Sequence, residues 1–272
     1  MTIRRWGVAM IAAAALFTPA LTACAGTGAG TGTESDASGA EVPAIPTDAK
    51  EALLASTKEI AKGNFRFSMT GSDLDGQGVV HLPSKSAQMN MKAGGGEFSM
   101  DMEIVYIEPD SWVKMTITGA EGVPGLEKLN SGKYQHLDQS KIKGTGGLGF
   151  DFKDVDPAGS EALTKAIVDV QKTGEGAYTG TIDLTRATDA GMVDEDGVKL
   201  LGAEATKLPF EAKLDAEGRL TSLTIQLPAV GGGKAQELTV GYSDYGAASP
   251  AKAPPAAEVV EASPETYELF NK

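Results

Sequence analysis

The chain has 272 residues, with 24 Lys and Arg against 37 Asp and Glu, a formal net charge of −13 and 41% hydrophobic residues. That acidic balance excludes nucleic acid as a partner, and broad adhesion to anionic headgroups, since both need clustered Lys and Arg. A single cysteine excludes an internal disulfide, so the core must supply the stability.

Residues 1–23 read as an export leader. Arg4 and Arg5 form the positive start, Gly7 to Phe17 the apolar stretch, and Leu21-Thr22-Ala23 the small-residue cleavage region. The apolar run is shorter than the roughly 20 residues of a permanent span. Gly7 stands where a twin-arginine signal wants Phe or Leu, so ordinary secretion is expected. Cys24 closes the lipobox Leu21-Thr22-Ala23-Cys24, the pattern cut before Cys and acylated on its sulfur. Its expected product is a chain of 249 residues and charge −15, lipid-anchored on the outer face of the cytoplasmic membrane.

Residues 24–46, rich in Gly, Thr, Ser, Ala and Pro, cannot offset their ordering entropy and are expected to form a tether. One folded domain is expected over 47–250, followed by a Pro/Ala-rich tail over 251–272. Thr47-Asp48 can cap a helix running to about Lys62, with Gly63 beyond its end. The period then switches to two. Phe65, Phe67 and Met69 face one way, and Asp75-Gly76 turns the chain into Gln77–Leu82. Ala87, Met89, Met91 and Ala93 mark a third strand, and Phe98, Met100, Met102, Ile104 and Tyr106 a fourth. Pro109-Asp110 turns into Trp112–Thr118. Residues 119–160 are loop-rich, Glu161 to Val170 reads as an amphipathic helix, and Ala177–Leu184 returns to strand. Asp189 to Leu201 reads as partly helical. Strands at Pro209–Leu214, Leu220–Leu227 and Leu238–Tyr245 finish the domain, the first two joined by the turn Asp215-Ala216-Glu217-Gly218. The predicted fold class is α+β: a curved antiparallel sheet with helices on one side.

Catalytic chemistry finds no set of residues. His81 and His136 are isolated, no Gly-x-Ser-x-Gly elbow occurs, and no His-and-carboxylate cluster has metal-ligand spacing. Gly144-x-Gly146-x-x-Gly149 matches a dinucleotide fingerprint by letter, but Phe150-Asp151-Phe152 and Pro157 follow it rather than a helix. Asp73/Asp75 and Asp194/Glu195/Asp196 lack the terminal Glu of a calcium loop and read as turns. No enzyme, metal or cofactor is therefore expected. Methionine is the unusual signal: Met69, Met89, Met91, Met100, Met102 and Met115 crowd the first sheet. Thioethers suit Cu(I), but no Cys or His accompanies them. An unbranched thioether also refits to differing apolar ligands. A filled core and a ligand cavity both need this face, and alternation does not separate them.

Several stretches resemble the LppX/LprA/LprF/LprG lipoproteins (LppX_LprAFG) of high-GC Gram-positive bacteria. Beside the lipobox and tether, these are Ile104-Val105-Tyr106-Ile107-Glu108-Pro109-Asp110-Ser111-Trp112-Val113-Lys114, Tyr178 to Leu184, Phe210 to Leu220 and Tyr242-Ser243-Asp244-Tyr245-Gly246. The resemblance covers about 47–250. It implies a LolA/LolB-like half-barrel whose helices close the concave side over an apolar cavity for acylated lipids or glycolipids. It also implies lipid transport across the cell envelope, with an envelope transporter as a partner, and no catalytic residues. The lining expected on this basis is Phe65, Phe67, Met69, Met89, Met91, Phe98, Met100, Met102 and Ile104, with Leu223 and Ile225 opposite. The alternative is a cell-surface interaction or sensor lipoprotein with a solid core and a protein partner.

Overall fold

Asp48 ends the extended approach to the first helix, its side chain accepting the Glu51 N–H at 2.9 Å, and α1 runs over Ala49–Ser56. A single 3-10 turn, Ile60–Lys62, follows and stops at Gly63, whose φ of 63° suits a residue without Cβ. The helix expected to reach Lys62 is thus broken at Thr57. The computed structural model describes residues 44–71, 74–94, 97–119, 129–142, 152–153, 155–187, 195–230 and 234–271, all within one unit, Val42–Lys272. The leader, Cys24, most of the tether and Gly144–Gly149 lie outside the described residues.

The strands are β1 (Asn64–Gly71), β2 (Leu74–His81), β3 (Ser86–Ala93), β4 (Ser99–Ile107), β5 (Asp110–Thr118), β6 (Tyr134–Asp138), β7 (Ile167–Gly174), β8 (Ala177–Ile182), β9 (Leu208–Leu214), β10 (Leu220–Leu227), β11 (Gln236–Ser243) and β12 (Val259–Glu261). They form one curved sheet in the order β12-β6-β5-β4-β3-β2-β1-β11-β10-β9-β8-β7. Every pairing is antiparallel except β12 with β6. Among the described residues the α-helices are α1, α2 (Ser160–Lys165), α3 (Glu195–Leu201) and α4 (Pro264–Phe270). The architecture is α+β, a half-barrel with one apolar and one wet face.

Three local expectations are corrected. Asp75-Gly76 is no turn: both residues lie inside β2, where Gly71 pairs with Leu74 and Met69 with Gly76. The predicted helix over 161–170 stops at Ala166, and the β-branched Ile167 and Val168 open the edge strand β7, paired with β8. Phe98 precedes β4 instead of lying within it.

Residues 251–271 also take part in the fold. The chain leaves β11 and crosses one end of the sheet on its wet face, where the Ala248 N–H donates to Asn64 Oδ1 (3.0 Å) and the Ala251 N–H to Ser86 Oγ (3.1 Å). It then adds β12 beside β6 and turns back, so that α4 buries Phe270 among Leu137, Val113 and Ile104. Gln135, 2% exposed, anchors this wrap: its Oε1 accepts from Thr266 Oγ1 and from the Ser263 N–H.

Candidate functional site

Register places the apolar side chains in rows across the sheet. One row runs Met115, Met102, Met91, Gly76, Met69, Val240, Leu223 from β5 to β10. The next runs Val113, Ile104, Met89, Gly78, Phe67, Tyr242. In both rows β2 contributes a glycine. Met69 and Phe67 lean over these gaps: a Cβ at Gly76 would lie 3.1 Å from Met69 Cε, and one at Gly78 would lie 2.6 Å from the Phe67 ring.

Where side chains are missing, the core divides. One cluster joins β1 and β7–β11 to α1 and α2, with Phe65, Leu53, Leu163 and Phe210 buried. A second joins β3–β6 to Phe270, with Met102, Ile104, Val113 and Met115. Met89 packs against both. The boundary between them, along β2 and β3, is a seam on the apolar face.

Each expected lining residue can now be placed. Phe65, Phe67, Met69, Leu223 and Ile225 are packed in the first cluster, and Met102 and Ile104 in the second. Their burial has a physical source: α1 and α2 cover the first group, and the Phe65 ring meets Phe67, Tyr242 and Tyr245 with centroids 5.5–6.5 Å apart. Met89, Met91 and Met100 keep partial exposure beside the seam. Phe98, 42% exposed, lies in the β3–β4 connection, outside the strand pleat.

Between Leu82 and Tyr106, at the β2–β3 and β4–β5 turns, lies a hollow of about 490 Å³, within the range of ligand pockets. Leu82 from the first cluster forms one wall, and Tyr106 and Phe152 from the second form the other. Lys85, Glu108, Asp110, Gln139 and Lys153 make its polar rim. Lys85 pairs with Glu108 at 2.5 Å, and Gln139 Nε2 donates to Ser111 Oγ. The sequence reading missed this rim, since its members come from the β2–β3 and β4–β5 turns and from segments beyond β6. Another hollow, of about 550 Å³, lies on the wet face among Arg66, Gln77, Gln88 and Asn90, and offers amides and hydroxyls rather than an apolar bed.

Three clusters of polar side chains set local electrostatics. Tyr242 Oη donates to Asp156 Oδ1 at 2.7 Å and lies 2.8 Å from Ser160 Oγ; burial and the Asp156 charge push its pKa well up, so it stays a neutral donor pinning α2 to β11. His136, on the wet face, lies 2.8 Å from Asp110 Oδ1 and 3.4 Å from Glu261 Oε1, and its ring is 5.7 Å from that of Trp112. The Asp110 hydrogen bond, then Glu261, raise its pKa against a lowering by burial. Tyr134 donates to Glu103 Oε2 at 2.6 Å; burial, then that hydrogen bond, push its pKa up to about 12. Among the described residues, no three His, Cys, Asp or Glu gather as metal ligands, and no helix is long and apolar enough to cross a membrane.

No protein-family model matches this sequence, and no curated protein matches it.

Proposed function

We propose that this chain is a membrane-anchored, non-enzymatic lipoprotein that binds an acylated lipid or glycolipid along the seam and carries it within the cell envelope. The observation that carries the reading is the division of one apolar sheet face into two packed clusters, with half-buried Met89 packed against both, half-buried Met91 and Met100 against the second, and a 490 Å³ hollow beside Leu82 and Tyr106. Methionines can refit around acyl chains of differing length. Each methylene withdrawn from water contributes about 0.8 kcal/mol, so ten would contribute about 8 kcal/mol before ordering costs, the scale of micromolar binding.

The half-barrel sheet and the Cys24 lipobox together support a LolA-like carrier of the LppX/LprA/LprF/LprG kind, anchored by its acyl group outside the cytoplasm, and an envelope transporter would be its supplier or acceptor. The other reading, a solid-cored interaction or sensor lipoprotein, draws on the seven expected lining residues that are packed. Organic extraction of the exported protein, followed by mass spectrometry, separates the two. About one lipid per chain is expected. A chain that carries none and takes up none from vesicles would leave the interaction reading in place.

A further inference from the structure

The registers define two ends of the sheet. Asn64 pairs with His81, His81 with Ser86, Ser86 with Ile107, Ile107 with Asp110, and Asp110 with Asp138. The same end therefore holds the β2–β3 and β4–β5 turns and the exit of β6. Arg66 pairs with Ser243 and Leu220 with Leu214, which brings the end of β11 and the β9–β10 turn there too. The hollow, rimmed by Lys85, Glu108 and Gln139, opens at this end.

The N-terminal approach arrives at the same end. Ile45 rests on the β9–β10 turn: a Cβ at Gly218 would lie 2.8 Å from its Cγ1. Twenty residues of sequence separate Cys24 from Ile45. An eight-residue strand adds about 26 Å to reach the far end. Charge agrees. On an acidic chain, the rim balances Lys85 with Glu108 and, nearby, Lys141 with Asp138 at 3.3 Å, and on the β9–β10 turn Arg219 pairs with both Asp215 and Glu217, so this end carries less than its share of the acidic excess.

We propose that the seam opens toward the anchoring membrane, so that an acyl chain passes from the bilayer between Leu82 and Tyr106 into the seam, while the headgroup stays at the rim of Lys85, Asp110, Gln139 and Lys153. This rests on the carrier reading and on acylation of Cys24. The opposite end offers its own apolar tips, Leu74 and Phe98, 39% and 42% exposed, which makes the orientation a two-way choice.

The test uses the full acylated chain in phosphatidylcholine vesicles containing nitroxide-labelled lipid. Acylation of Cys24 leaves an introduced thiol as the only reactive one, so a fluorophore is placed singly by Lys141→Cys, Glu217→Cys or Glu97→Cys. The first two labels, at the mouth end, should be quenched severalfold more than the third. Equal quenching, or stronger quenching at Glu97→Cys, overturns the proposed orientation. Mass spectrometry of the same preparations reports bound lipid separately, so mouth-end quenching without lipid would defeat the carrier reading and leave the orientation standing.

Discussion

Two glycines in β2 allow a paired measurement of how the seam floor is built. At Gly76 an added methyl would meet Met69 Cε at 3.1 Å and Met91 Cγ at 3.7 Å, both on flexible side chains that can withdraw. Removing glycine's freedom from the unfolded chain stabilises by about 0.5–1 kcal/mol, so Gly76→Ala should be neutral or slightly more stable than the parent. At Gly78 the methyl would meet the Phe67 ring at 2.6 Å on one side and the Gln88 carbonyl of the paired strand on the other. Neither can move without disturbing the sheet or the first cluster. Overpacking of this kind costs about 1–3 kcal/mol, and after the same entropic gain a net loss of roughly 1–2 kcal/mol remains. For a domain of this size that lowers Tm by roughly 2–8 °C. Thermal unfolding followed by Trp112 fluorescence and by circular dichroism measures both variants. Equal stability of Gly78→Ala and the parent would refute the packing of Phe67 over β2, and with it the account of why the core divides there.

Met91→Trp should lower lipid loading severalfold with the melting curve kept, since Met91 borders the seam. Met102→Trp, at a position 9% exposed, should instead cost about 1–3 kcal/mol of stability. Equal effects on loading would argue against the seam. Gln135→Ala removes the acceptor of Thr266 and Ser263 and should cost about 2–3 kcal/mol, with early proteolysis within 259–271 as its signature. An unchanged digestion pattern would show that the C-terminal wrap is held elsewhere. His136 carries a raised pKa, so its contribution to docking β12 is full below the ordinary histidine value near 6.5 and is lost as pH rises through the higher folded value. Hydrogen exchange at Val259–Glu261 should therefore quicken, beyond its intrinsic pH dependence, as pH rises above about 6.5, and His136→Ala should remove that excess. The effect should stay below about 1 kcal/mol, because Glu261 is largely exposed.

The reading of the sequence followed the structure where local chemistry decides the outcome. Asp48 caps α1, Gly63 ends the turn after it, and Gly218, with φ of 77°, closes the β9–β10 hairpin over Asp215, whose carboxylate accepts two backbone N–H groups. It parted from the structure where pairing outweighs local preference. Asp75-Gly76 has the composition of a turn, yet the turn falls earlier because register sets Met69 opposite Gly76. Ile167 and Val168 fit a helix by spacing, but pairing with β8 claims them for a strand. Phe98 has the parity of β4 and misses its pleat. Residues 251–271 have the composition of a tail, and it is their bonds to Ser86 and Gln135, the pairing of β12 with β6 and the burial of Phe270 that make them part of the fold.

What the sequence determined alone is what repeats every second residue or sits within a few positions: an antiparallel sheet with one apolar face, its methionine content, its caps and turns, and the lipobox at Cys24. Tertiary structure decided which methionines are core and which border open space. It also decided where the two clusters part and at which end the hollow opens. Alternation assigns a side chain to a face, but the space in front of that face depends on strands and helices distant in the chain. Glycine at 78 is required only because Phe67, across the pairing with β1, takes the space its side chain would need.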